Sequence, residues 1–354
     1  LMVQTAGTRY APPWQPRITS LGHAVADRVV MSMDECMAYF GYTSPSMRKL
    51  AENTQIKQKR WWCDPIGKSV QELADEYEAG ALELSCQAVQ ECLDGGDLAD
   101  IGTLVFVSCT QALPECPSMA FRIAGELGMA GNTRLVDIIG DGCQGAMPGL
   151  DAAYAYLLAF HRPVLLVATE ICSATYFPAP QGDMANSISN LLFNDAASAM
   201  ILADSPDPQY PMVLDFERLW SKESKDLLGY THQDGRMKVQ LAKEVPQVVP
   251  PMVVQTINTL LARNGLTKED ISNWVIHNGG VAILKEIAAL MGMDSESDFR
   301  YSWQILREYG NLSSATVGLI AEEMHADPTN RHGWCVAAAM GAGAGVGAAL
   351  VRYG

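Results

Sequence analysis

Positive charge is what this chain has least of. Lysine and arginine number 25 against 40 aspartates and glutamates in 354 residues, a net charge of −15. Such a field repels phosphate backbones, which argues against nucleic-acid binding. Any anionic small ligand would need a local basic patch, because the overall field opposes it. Charged residues of both signs make up 18% beside 48% hydrophobic residues, a globular balance with ample material for a core.

Paired cysteines are missing too. The nine thiols (Cys36, Cys63, Cys86, Cys92, Cys109, Cys116, Cys143, Cys172 and Cys335) are odd in number, contain no CxxC and sit scattered through apolar runs. That excludes a disulfide framework or a metal site of the usual spacing and fits reduced thiols in a cytoplasmic protein. No charged-then-apolar signal opens the chain, and residues 1–17 read as a flexible tail. The longest apolar runs, such as 336–350, are rich in Gly and Ala and too short for membrane insertion.

What is present is an alternation of short apolar runs and helical periods. Strands are expected at 18–30 (with a turn), 104–109, 135–139, 164–168, 212–216, 274–276 and 334–339. Helices are expected at 34–40, 45–54, 71–93, 118–127, 145–160, 250–264, 281–291 and 312–325. The pattern implies an α/β fold with largely parallel sheets. Its second half repeats the grammar of the first, with the junction in the Asp-Pro turns at 204–211. The expected division is an N-terminal half at 18–205 and a C-terminal half at 206–354.

Three stretches carry chemistry: Gly-Asp-Gly-Cys-Gln-Gly around Cys143, Trp-Val-Ile-His-Asn-Gly-Gly around His277, and Glu-Tyr-Gly-Asn-Leu-Ser-Ser-Ala-Thr around Asn311. Cys143 follows a strand and precedes a small-residue helix, where the dipole and bare N–H groups favour a thiolate. Gly142 and Gly145 leave room for a carbonyl near those donors. His277 ends another strand, where an imidazole can keep a thiolate charged or hold a thioester carbonyl. Asn311 can donate to a developing enolate oxygen. Each has a plainer role alone: a packing thiol, a core histidine, a helix cap. The glycine-rich 341–347 run fits phosphate binding weakly and close backbone packing equally.

With these motifs on the page, the chain resembles the chalcone synthase-type, or type III, polyketide synthases of the thiolase and ketoacyl synthase III superfamily, from about residue 18 to the C-terminus. The resemblance implies a five-layered αβαβα thiolase fold of two similar halves, and a homodimer. It implies that Cys143 accepts a starter acyl group from a coenzyme A thioester. His277 and Asn311 would hold the malonyl-CoA carbonyl through decarboxylation, and the resulting carbanion attacks the Cys143 thioester. No cofactor is implied beyond the coenzyme A thioesters, and no metal. Phe193, with Tyr176 or Phe177, falls near an aromatic gate. Arg48 and Lys49 fall near the coenzyme A mouth, Ala282 near the pantetheine arm, and Gly343 in the glycine loop of the cavity wall.

Four departures from the family pattern touch the cavity. Asn278 follows the histidine where Pro is usual. The glycine loop reads Gly341-Ala342-Gly343-Ala344-Gly345, and Phe193-Asn194-Asp195-Ala196-Ala197 replaces Phe-Gly-Asp-Gly-Ala. Ala146 stands at the second glycine after the nucleophile. Two other readings are open at this point: a ketoacyl synthase III-like enzyme served by an acyl carrier protein, and a non-catalytic partner subunit. The starter, the number of condensations and the cyclisation mode are not fixed by these motifs.

Overall fold

The computed structural model describes residues 14–111, 113–179 and 183–354. Residues 1–13 of the expected tail fall outside it. The first strand already begins at Pro16, two residues earlier than expected.

Up to Asp204 the order is β1 (Pro16–Val25), β2 (Val29–Ser32), α1 (Met33–Tyr39), α2 (Pro45–Thr54), β3 (Gln58–Trp61), α3 (Val70–Leu93), β4 (Thr103–Ser108), α4 (Met119–Glu126), β5 (Arg134–Ile139), α5 (Ala146–Phe160), β6 (Val164–Glu170), α6 (Met184–Leu192) and β7 (Ala196–Asp204). Then follow β8 (Met212–Leu219), β9 (Leu228–Gln233), β10 (Arg236–Leu241), α7 (Val245–Arg263), β11 (Ile271–Ile276), α8 (Val281–Met291), α9 (Ser295–Asp298), α10 (Arg300–Tyr309), α11 (Thr316–Ala326), β12 (Gly333–Met340) and β13 (Val346–Tyr353).

Nine strands join in the order β11-β12-β13-β8-β1-β7-β6-β4-β5, with β1 and β8 meeting antiparallel at the middle. The sheet is mixed, which corrects the expectation of largely parallel pairing. Only β4 with β5 and β6, and β11 with β12, run parallel. A short glycine loop joins β12 to β13, and so tight a connection forces an antiparallel pair.

Three hydrophobic clusters separate five layers. One lies between α3 and α4 and the outer face of β4, β6 and β7. A central one holds α5 and α11 between the two sheet regions. The third packs α7, α8 and α10 on β11–β13. This is the thiolase architecture. Burial on both faces explains why β4 and β6 read as unbroken apolar runs. Helix α3 starts with a full capping box, Ser69 with Glu72, which sets its first turn. Helix α7 begins five residues earlier than expected, with proline in its first turn, where a missing N–H costs nothing. No described helix is long and apolar enough to cross a membrane.

Candidate active site

The parallel strands end on one side. After β5 the chain turns through Gly140 and Gly142, both at positive φ, into a 3₁₀ turn (Gly142–Gln144) that carries Cys143 to the start of α5. A Cβ on Gly142 would lie 2.7 Å from the Ala342 nitrogen. Strand β6 ends at Glu170 and β4 at Ser108, so both carboxyl ends open beside that turn.

His277 extends β11 by one residue, its N–H donating to Ala338 of β12 at 2.9 Å. The same strand β12 runs on into Gly341, where a Cβ would meet the backbone nitrogens of Gln144 at 2.5 Å and Cys143 at 2.9 Å. Thus β12 links the histidine to the cysteine turn. The glycines at 341–345 serve this close backbone packing, the second of the two readings open for them.

Asn311 is buried and held by its backbone. Its N–H donates to Leu192 O at 3.1 Å and its C=O accepts from Asn194 N–H at 3.0 Å, an isolated parallel bridge to Phe193. Its side chain and the Ser313 hydroxyl both favour the charged form of the Cys143 thiol. Ser313 adopts φ +52°, a strained conformation for serine, and its hydroxyl donates to Glu170 Oε1 at 3.2 Å.

Burial opposes the expected dipole-favoured thiolate. Burial pushes the Cys143 thiol up to about 12, against the opposing hydrogen bonds of Ser313 and Asn311, and the Glu170 charge pushes the same way. Desolvation exceeds what one helix end supplies. His277 is 1% exposed and burial holds it down at about 3, with Nδ1 lacking a partner.

Comparison with known proteins decides the family. Residues 15–206 match the model of the N-terminal domain of chalcone and stilbene synthases, and 221–353 that of the C-terminal domain. The chain belongs to the chalcone and stilbene synthase family. It is similar to a 3,5-dihydroxyphenylacetyl-CoA synthase of Streptomyces toyocaensis, 27% identical over 99% of this chain and 94% of that one. To a 1,3,6,8-tetrahydroxynaphthalene synthase of Streptomyces peucetius subsp. caesius it is 31% identical, over 77% and 73%. Its fold matches the solved structure of PKS-I from the brown alga Ectocarpus siliculosus with a TM-score of 0.86 at 19% identity, covering 96% of this chain and 98% of that one. As a type III polyketide synthase it is an acyltransferase that condenses an acyl-CoA starter with malonyl-CoA, and coenzyme A thioesters are the only cosubstrates the family needs.

Within this chalcone and stilbene synthase fold, the expected gate and mouth residues fall in one neighbourhood. Phe193 packs on the cluster containing Ile283, next to the exposed Ala282 at the start of α8. Leu191 packs against Met47 and Leu50 of α2, which flank the exposed Arg48 and Lys49. Arg48 lies 3.6 Å from Asp34. Tyr176 stacks on Phe40 at 5.8 Å, and Lys238 lies 5.1 Å over the Phe177 ring. Gly343 stands apart, on the loop beside Cys143, its carbonyl accepting from Ser224 Oγ at 3.1 Å.

Several participants were missed in the sequence. Glu170 is fully buried under the turn; a lone carboxylate closing an apolar strand was its signal. Tyr230 on β9 hydrogen-bonds Thr175 and lies in electrostatic reach of Cys109, Cys143 and Cys172, and burial pushes its phenol up strongly. Lys59, held near 8 by burial, donates with Trp61 Nε1 to the Phe193 carbonyl and so fixes the backbone at Phe193. Asn278, the departure after the histidine, donates to Gly310 O at 3.2 Å and ties the His277 segment to the Asn311 segment.

Proposed function

We propose that Cys143 is the acyl-carrying nucleophile and that His277 and Asn311 bind the malonyl thioester carbonyl. The observation that supports this most directly is the convergence of three segments: the Cys143 turn packs on the Ser313–Ala315 turn that follows Asn311, and β12 joins it to His277. A starter acyl group moves from coenzyme A sulfur to Cys143. Malonyl-CoA then loses CO2. Neutral donors at His277 and Asn311 stabilise the enolate oxygen without offering it a proton acceptor stronger than the enolate itself. The carbanion attacks the Cys143 thioester, forming the carbon–carbon bond and freeing the thiol.

Arg48 and Lys49 supply the basic patch for the coenzyme A phosphates, and Ala282 lies along the pantetheine arm. Phe193, with Tyr176 and Phe177, forms the gate, and Gly343 belongs to the cavity wall. The chain is read as two halves, 18–205 and 206–354, and as a homodimer. Support for the dimer comes from the sheet edge at β5, flanked by exposed Leu113, Phe121, Ile139 and Phe160. Nine free thiols, six of them buried, support a reducing, cytoplasmic setting.

Intact-protein mass after incubation with a panel of acyl-CoA starters tests the reading. Wild type is expected to gain a starter-sized adduct that malonyl-CoA discharges with CO2 release, and Cys143→Ala to gain none. An adduct that malonyl-CoA leaves in place would shift the reading to acyl transfer or to delivery by an acyl carrier protein. An equal adduct on Cys143→Ala would remove Cys143 from its role.

A further inference from the structure

Strand β1 pairs along its length with β7, but β8 meets it only where Arg17 faces Met212. The second edge of β1 is therefore free of a strand at His23, and carboxylates from two helices reach it there. The His23 N–H donates to Glu91 Oε2 at 2.7 Å. Nδ1 of the same residue lies 3.0 Å from Glu322 Oε2 and 3.6 Å from Glu91 Oε2. Glu91 stands at the end of α3 in the outer layer, and Glu322 on α11 in the central one. The ligand atoms of the three side chains all lie within 4.8 Å of one another. Among the described residues, neither carboxylate pairs with a lysine or arginine; each has its ion pair with His23 alone. Glu323 adds a further negative charge beside the imidazole.

One imidazole nitrogen and two carboxylates converging on a point are a donor set for a divalent transition metal. Ligands about 2.0–2.2 Å from a tetrahedral zinc ion stand roughly 3.3 Å apart, and the two distances from Nδ1 bracket that spacing. Carboxylates alone would suit calcium or magnesium, whereas the imidazole moves the preference toward zinc or cobalt. The His23 N–H holds the Glu91 carboxylate as an outer hydrogen bond orients a metal ligand. All three side chains are partly exposed, which leaves water access to complete the coordination. We propose that His23, Glu91 and Glu322 form a site for a divalent transition-metal ion of the zinc class, which clasps α3 to α11 across the strand-free edge of β1. The role of the ion is structural. It ties the outer layer to the helix that continues the Asn311–Ser313 segment. Binding to the folded chain, where alone the three residues meet, raises stability by mass action.

The test uses the full chain, freed of metal with EDTA and held at neutral pH. It reads Co2+ binding by absorption and Zn2+ binding by thermal unfolding. Co2+ reports its ligands: nitrogen and oxygen donors give visible d–d bands alone, whereas thiolates add an intense near-ultraviolet charge-transfer band. One Co2+ per chain is expected, with the visible bands only. Zn2+ at a hundredfold excess over its dissociation constant should raise Tm by about 3–5 °C, and Mg2+ at the same concentration should not. His23→Ala, Glu91→Gln and Glu322→Gln are each expected to weaken Co2+ binding about tenfold or more. Glu323→Gln, which removes neighbouring charge but no ligand, should bind as wild type. Equal losses in Glu323→Gln and Glu322→Gln would show diffuse attraction of cations and overturn the site. A thiolate band that survives all three ligand substitutions would overturn it too, as would wild type showing neither visible bands nor stabilisation by Zn2+. If His23→Ala fails to fold, the two glutamine variants decide: unchanged Co2+ spectra and affinities in both overturn the proposal. These readouts are binding and stability, so they stand apart from the assignment of Cys143.

Discussion

Asn311 Oδ1 accepts the backbone N–H of Ser313 at 2.8 Å, and that bond sets which way the amide faces. The oxygen closes a local turn ahead of the 3₁₀ turn at Ser313–Ala315, which leaves the Nδ2 end to act as a donor. The helix cap read from the motif is not formed: the 3₁₀ turn has Leu312 at its N-cap, and α11 begins at Thr316 after Ala315. The same turn carries Ser313, so one local motif holds both side chains that favour the charged Cys143 thiol.

Asn311→Ala should therefore impair two things separable by experiment. Loss of the enolate donor is expected to lower condensation by about 10²–10³-fold, the usual cost of one oxyanion-type donor. Loss of the Oδ1 bond to the Ser313 N–H is expected to cost about 1 kcal/mol of stability. Asn311→Asp keeps that bond but presents an acceptor and a charge to the enolate, so it should restore urea stability and leave condensation low. Equal condensation rates for Asn311→Asp and wild type would remove the donor role.

His277 predicts an acid-sensitive fold. Burial holds its folded value at about 3 against 6.5 when exposed, so between those values the unfolded chain binds a proton that the folded chain refuses. Stability from this group is complete above pH 6.5 and is lost as pH falls toward 3, by at most about 5 kcal/mol. His277→Gln should flatten the acid side of the stability–pH curve measured by urea unfolding. An unchanged slope between pH 6 and 4 would mean that the imidazole is not buried as described.

The motif glycines, the strand-to-helix turn at Cys143 and most helices were legible because local rules governed them. Helix α8 falls at 281–291 in both readings since its apolar period and following Gly292 are both local signals. Strand β3, helices α6 and α10, and the β9–β10 hairpin were not read. Gln58–Trp61 has no apolar alternation, and its partner is the equally short β2. The hairpin did carry a usable signal in Asp234-Gly235, both at positive φ. Glu170 escaped for a different reason: its importance comes from hydroxyls on β4 and the Ser313 turn, distant in sequence and meeting only in the fold.

Gly341 shows how closely the glycine loop packs on the Cys143 turn. A methyl group there would lie under 3 Å from two nitrogens of the Cys143 turn, so the turn must move. Gly341→Ala is expected to keep the fold, lose about 1–3 kcal/mol of stability and slow starter loading more than it alters the affinity for acyl-CoA. Loading kinetics by intact mass, read as a rate against an apparent half-saturation, separate the two. A pure rise in half-saturation would place the loop at the ligand instead.

Tyr230 is the residue whose removal should change what is made. It lies in electrostatic reach of Cys143, Cys109 and Cys172, and its strand packs against the 342–344 turn beside Cys143. It is carried by a two-stranded hairpin outside the main sheet, and substitution there leaves the nine-stranded core intact. Tyr230→Phe removes only the hydroxyl and should retain the wild-type starter preference. Tyr230→Ala opens the volume of a ring, and each added methylene accommodated in an apolar pocket is worth ~1–3 kcal/mol. The ratio of long-chain to short-chain starter loading should then rise about tenfold or more in Tyr230→Ala, measured by competition between two acyl-CoAs and the intact masses that result. An unchanged ratio, with both loading rates lowered alike, would make Tyr230 a support of the Thr175 turn with no hand in choosing the starter.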